Sequence, residues 1–178
     1  MTSHTDDRTD PEAFLVAPVD PVSRDRLAGT GLDYRLVPVD GDAFPAWLQV
    51  VARGFQDGER TDEQVAANRE RSGYRRLTGV YDPAAPMADH PVASIASWIG
   101  RLTVPGGADI PSCAISAVTV APTHRRRGIA RAMLEGELRA AVAAGAPMAM
   151  LTVSESTLAG TASSSSATSA KTTRLSRS

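Results

Sequence analysis

The sequence predicts an α/β domain of mixed α+β type, with a central mixed sheet flanked by helices. Three observations carry that expectation. An apolar stretch, Pro111–Pro122, is followed by a helix-period run from about Arg125 to Ala144 and then by a second apolar stretch, Pro147–Ser154. Such a strand–helix–strand unit needs a crossover, which favours parallel pairing with the helix laid on the sheet. Two strand-like runs, Arg75–Asp82 and Pro91–Val104, precede it with a loop between them. Before those come two runs with helical spacing.

Taken in order, "YRLVPV" (Tyr34–Val39) is the first strand candidate. "DAFPAWLQVVARGFQ" (Asp42–Gln56) starts with an acid suited to an N-cap, and its Leu48, Val51, Ala52 and Phe55 fall on one helical face. "TDEQVAANRERSG" (Thr61–Gly73) has a Thr cap, acids in its first turn and a terminal glycine, so it reads as a second, mostly exposed helix. "RRLTGVYD" (Arg75–Asp82) is strand-like, "DPAAPMADHP" a loop, and "PVASIASWIGRLTV" (Pro91–Val104) a long strand stopped by Pro105–Gly107. The helix near Arg125–Ala144 turns Ala130, Met133, Leu134, Leu138, Ala141 and Val142 inward.

The two ends differ in composition from this middle. Residues 1–30 carry six acids against three arginines and are punctuated by Pro11, Pro18 and Pro21, the pattern of a flexible N-terminal lead-in. Residues 159–178 are dominated by Ser, Thr and Ala, with Leu175 their one large apolar side chain, the composition of a disordered tail. Residues 31–158 are the expected folded unit.

Bulk composition narrows the function classes. The 178 residues suit one domain, and a formal net charge of -1 gives no global field for nucleic acid or an anionic membrane. A single cysteine, Cys113, excludes an internal disulfide framework and reads as a buried core thiol. With no signal-like or membrane-length apolar run, the expectation is a cytoplasmic protein without membrane or nucleic-acid partners.

Any basic site must therefore be local, and "PTHRRRGIAR" (Pro122–Arg131) supplies one. Alone, Arg125, Arg126 and Arg127 would be a solvated basic turn. Here they stand between an apolar strand and the start of a helix, where peptide N–H groups lack internal partners and suit phosphate. Gly128 and the small Ala130 leave room for a ligand to approach the backbone. His124 beside them reads as a packing or capping residue.

The spacing Arg125-x-x-Gly128-x-Ala130 resembles the acetyl-coenzyme A motif of the GNAT N-acetyltransferases. "SWIGRLTVPGG", "AISAVTVAPTHRRRGIARAML" and "LTVSES" together look like the first domain of the enhanced intracellular survival (Eis) family, whose characterised members acetylate amines of aminoglycosides and lysine side chains. The resemblance implies a GNAT acyl-CoA N-acyltransferase fold over residues 31–158, acetyl-CoA as co-substrate, no metal, and direct attack by a primary amine in a ternary complex. It places coenzyme A contacts at Val118, Thr119 and Val120, at Arg125, Arg126, Arg127, Gly128, Ile129, Ala130 and Arg131, and at Ser154 and Glu155. Family members are homo-oligomers.

After Glu155 the text departs from the family. The tyrosine thought to protonate departing coenzyme A falls on Ala159, which cannot donate a proton. The expectation is a chain truncated or frameshifted after about residue 158, with C-terminal strands missing and no assigned catalytic residue. The alternative is a non-catalytic acyl-CoA-binding module.

Overall fold

The computed structural model describes residues 9–154 and 168–174. Six strands form one sheet in chain order: β1 (Asp33–Leu36), β2 (Arg76–Tyr81), β3 (Pro91–Thr103), β4 (Asp109–Val120), β5 (Met148–Ser154) and β6 (Thr168–Arg174). Neighbours pair antiparallel except β4 and β5, which run parallel because a helix, α5 (Ile129–Ala143), makes the crossover between them. The expected mixed sheet flanked by helices is present.

The alternation of side chains along each strand builds two cores. On one face α1 (Pro11–Val16), α2 (Pro21–Ala28) and α5 bury Phe14, Leu27, Ile129 and Met133 against Val80, Ile95 and Ile115. On the other, α3 (Phe44–Gly54) and α4 (Asp62–Ser72) bury Phe44, Trp47, Leu48 and Val65 against Leu77, Tyr81 and Ala96. β2 is buried at all six positions because it is covered on both faces. Thr61 and Gln64 cap α4 reciprocally. Asp42 does not cap α3, which starts after Ala43 without a side-chain cap, and Phe55 ends it largely exposed.

The N-terminal lead-in is a correction. Residues 9–30 hold two helices rather than a mobile segment. Asp10 accepts from the Ala13 N–H at 2.9 Å and Asp20 from the Ser23 N–H at 2.7 Å, each followed by a proline in the first turn. The tail is a second correction. Over Thr168–Arg174 it forms β6, which pairs along the whole of β5 from Met148↔Arg174 to Ser154↔Thr168, so the sheet gains a strand where none was expected. β-branched threonines suit a pleated strand, and the open edge of β5 supplies a template. The remaining tail residues and residues 1–8 lie outside the described residues.

α2 is held on α5 at successive turns. Arg139 donates to both carboxylate oxygens of Asp20, at 2.9 and 2.8 Å, and to Ser23 Oγ at 2.8 Å. Ser23 Oγ donates to the carbonyl of Ala132 at 2.7 Å. Gly136 makes room for this, since a Cβ there would stand 3.1 Å from Ser23 Oγ.

Under the sheet, Arg76 on β2 and Glu137 on α5 form an ion pair at 3.1 Å with side chains 0% and 1% exposed. Ser97 Oγ donates to Glu137 Oε2 at 2.6 Å and Tyr34 Oη to Oε1 at 3.1 Å. The guanidinium also donates to the carbonyls of Phe14, Ala17 and Pro18, at the junction of α1 and α2. No helix among the described residues is long and apolar enough to cross a membrane.

Glu137→Ala is expected to cost about 3–5 kcal/mol in urea unfolding, because it strands a buried guanidinium. A loss below about 1 kcal/mol would refute this role. The Arg139 hydrogen bonds hold the Asp20 carboxyl below its ordinary value of 3.8. A depressed folded-state pKa makes that contribution complete above the ordinary value and lost as pH falls through the lowered one. The stability gap between wild type and Asp20→Asn should therefore narrow from about pH 6 to about pH 2, and a gap that widens would contradict it.

Candidate functional site

β4 and β5 part company halfway along. Their parallel pairing covers Ser112↔Met148 to Ile115↔Leu151 and stops, although β4 continues to Val120 and β5 to Ser154. The wedge between them exposes one backbone edge of β4. The Ala121 N–H donates to Val92 O on β3 at 2.8 Å, so strand alternation turns the Val120 backbone to the opposite edge. Arg125 Nε reaches the Val120 carbonyl there at 3.4 Å.

A bulge distorts β4 in the same place. The register with β3 passes from Ala96↔Ser116 to Ser94↔Thr119, so Ala117 and Val118 together oppose one residue. Ala117 has a φ of 52°, a left-handed conformation costing about 1–2 kcal/mol in a residue with a Cβ. Ser94 holds it there: its Oγ lies 2.9 Å from the Ala117 carbonyl, to which it donates, and 2.7 Å from Thr119 Oγ1.

A 3₁₀ turn over Pro122–His124 leads from β4 into the arginine loop. The expected helix start at Arg125 is corrected: α5 begins at Ile129. Arg125 is extended, Arg126 has a φ of 62° and Gly128 a φ of 74°, which keeps these residues out of the helix. Gly128 occupies the N-cap position and has no side chain with which to cap. Among the described residues, the amides of Arg126 through Arg131 find no acceptor, and the first bond into the turn is from the Ala132 N–H to the Gly128 carbonyl at 3.0 Å. A Cβ built on Gly128 would meet nothing within 4 Å. Unsatisfied amides, left-handed backbone and open space form a cradle for an anion.

Two cavities flank the cradle. One, of about 660 Å³, lies between the end of α3 (Arg53, Gly54), the β2–β3 loop (Asp82, His90) and the end of β4 (Thr119, Val120). In its wall the His124 Nε2–H donates to Asp82 Oδ2 at 2.9 Å, and Nδ1 lies 2.8 Å from Thr123 Oγ1. The hydrogen bond from His124 holds the Asp82 carboxyl below its ordinary value. His124 is thus a fixed wall residue. The other cavity, of about 280 Å³, lies between α2 and α5 and includes Arg127, Gly128 and Arg131.

The structure therefore brings Thr119, Val120 and Arg125 to one cavity and Arg127, Gly128 and Arg131 to the other, with Arg126 and Ala130 between. The side chain of Ile129 is in the core, so it can offer a ligand only its backbone, while Val118 and Val120 are partly buried against that core. Ser154 ends β5; Glu155 and Ala159 lie outside the described residues. Cys113 is buried, and burial pushes its thiol up to about 12. Sequence reasoning missed Gly54, whose Cβ would fall 2.4 Å from Thr119 Cγ2; only the packed structure shows that α3 must approach β4 there. It also missed Arg26 and Thr30 of the second cavity, having placed them in a mobile segment.

The model of the acetyltransferase (GNAT) domain family matches residues 35–161, which span the open wedge and the anion cradle. The chain belongs to the GNAT acetyltransferase family. A Streptomyces griseus protein described as an uncharacterized N-acetyltransferase is 36% identical over 125 residues, 70% of this chain and 28% of its own length. The N-acetyltransferase Eis of Mycobacterium tuberculosis is 38% identical over 120 residues, 67% of this chain and 29% of its own length. The GNAT chain described here thus spans less than a third of these curated relatives. The crystal structure of a GCN5-related N-acetyltransferase from Kribbella flavida superimposes with a TM-score of 0.54 at 25% identity, covering 70% of this chain and 31% of that one.

Gly54→Ala is expected to overpack the contact with Thr119 and destabilise the chain by about 1–3 kcal/mol in urea unfolding. An unchanged midpoint would show that α3 yields freely at that point.

Proposed function

We propose that this GNAT chain binds acetyl-CoA across the wedge and the arginine loop and passes its acetyl group to a primary amine. The observation that carries the reading is the run of uncapped amides from Arg126 to Arg131 beside a bare Gly128. The cofactor's pyrophosphate fits that cradle, with Arg125, Arg126 and Arg127 adding positive charge. Its pantetheine arm suits the free edge of β4 at Val118–Val120, where strand-like backbone bonding is available. Ser154, at the end of β5, is the further contact that the family resemblance suggests for the thioester end.

The chain's own contribution to transfer is orientation and polarisation. The Ala117–Val118 bulge interrupts the ladder where the thioester carbonyl would lie, so a backbone N–H there can polarise it. Holding amine and thioester together supplies further acceleration. Similarity to Eis at 38% identity supports an Eis-type placement within the family, with aminoglycoside-like or lysine amines as the acceptor class.

A second reading, an acyl-CoA-binding module without turnover, rests on Ala159 at the place of the expected proton donor. Two measurements separate them. Calorimetry should detect coenzyme A binding by the full chain, and Gly128→Val should weaken it at least about tenfold through backbone strain and lost approach. No binding by a folded sample would sink the proposal. Thiol release from acetyl-CoA in the presence of amines then distinguishes transferase from binding module. The buried Cys113 adds little background to that assay.

A further inference from the structure

The smaller cavity is built by a segment outside the family match. The matched region begins at residue 35, whereas Arg26, Leu27 and Thr30 come from α2 and the turn after it. Across the cavity stand Arg127, Gly128 and Arg131, whose amides belong to the anion cradle itself. Three guanidiniums therefore face a space of about 280 Å³ that adjoins the loop expected to hold the pyrophosphate.

The cavity is organised in advance of any ligand. Glu135 accepts from Arg26 Nη1 at 2.8 Å and from Arg131 Nε at 2.7 Å, so one carboxylate holds two arginines side by side. Those hydrogen bonds, the one from Arg131 foremost, keep the Glu135 carboxyl below its ordinary value. Each arginine uses a single nitrogen in this way and retains other N–H groups for an anion. Arg127 Nη2 reaches the Thr30 carbonyl at 3.5 Å, tying the far side. The Asp20–Arg139 and Ser23–Ala132 bonds hold α2 on α5, which keeps the backbone of Arg26 beside Glu135.

Three cations to one carboxylate call for a dianionic group. Coenzyme A carries one such group besides the pyrophosphate, the 3′-phosphate of its ribose, a few bonds away. We propose that the cavity between α2 and α5 receives that 3′-phosphate, with Arg26 as a recognition residue, and that the chain thereby selects coenzyme A over its 3′-dephospho form. The inference rests on the coenzyme A reading above and adds a determinant outside the arginine loop.

The test is calorimetry on the full chain with coenzyme A and with 3′-dephospho-coenzyme A, for wild type, Arg26→Ala and Arg26→Lys. Wild type should bind coenzyme A about tenfold or more tightly than the dephospho form, the scale of one charge-assisted contact. Arg26→Ala should bring that ratio close to one while dephospho-coenzyme A binds as before, which also reports that the fold is intact. Arg26→Lys should restore part of the ratio. Equal binding of the two forms by wild type, or a ratio unchanged in Arg26→Ala, overturns this inference and leaves the coenzyme A reading standing. Absence of binding by both forms overturns the two together.

Discussion

The buried pair of Arg76 and Glu137 fixes the geometry on which the rest depends. Removing two charges from water is costly, and a well-packed apolar pair of the same volume is often as stable. What the ionic pair adds is direction. Glu137 projects from α5 toward hydroxyls on β1 and β3, while Arg76, on the same face of the sheet, reaches three carbonyls at the α1–α2 junction. Each group meets several partners at once. Together they set the rotation of α5 about its axis and seat the N-terminal helices against it. The amides at the start of α5 lie two turns from Glu137, so their aim is inherited from this network.

Local backbone rules are broken mainly near the site. Ala117 and Arg126 adopt left-handed conformations without being glycine, and so does Gln56 just past the end of α3. All three border the wedge, the cradle or the larger cavity. Such conformations persist only where surrounding contacts outweigh their cost, as Ser94 does for Ala117. Strain concentrated beside unsatisfied amides fits a surface shaped for a ligand rather than for maximal stability.

The sequence made the central elements legible because their signals are local. The apolar runs of β4 and β5, the amphipathic run of α5 and the Thr61 capping box each announce themselves within a few residues. The arginine loop stood out for the same reason, since it joins a strand to an uncapped helix. The failures are of another kind. α1 and α2 did carry a local signal, Asp-Pro at Asp10–Pro11 and Asp20–Pro21, but the excess of acids outweighed it. Glu137 interrupts an apolar face and gains its meaning only from Arg76, sixty-one residues earlier. The bulge at Ala117 and the close approach at Gly54 have no signature in residue type, because both follow from how β3, β4 and α3 meet.

The placement of charge follows from the same architecture. A chain with a formal net charge of -1 has no overall positive field, so positive potential at this surface comes from arginines gathered at short range. The loop Arg125–Arg127 does part of this alone. It lacks a partner surface, however, and arginines on a loop spread into solvent. α2 supplies the missing wall: docked by Asp20 and Ser23, it brings Arg26 to the carboxylate that already holds Arg131. The N-terminal acids that made the segment look like a mobile lead-in include the one that anchors it. Asp20 is both the cap that starts α2 and the bridge that fastens it to α5, so the start of α2 and the wall it gives the cavity against α5 rest on one side chain.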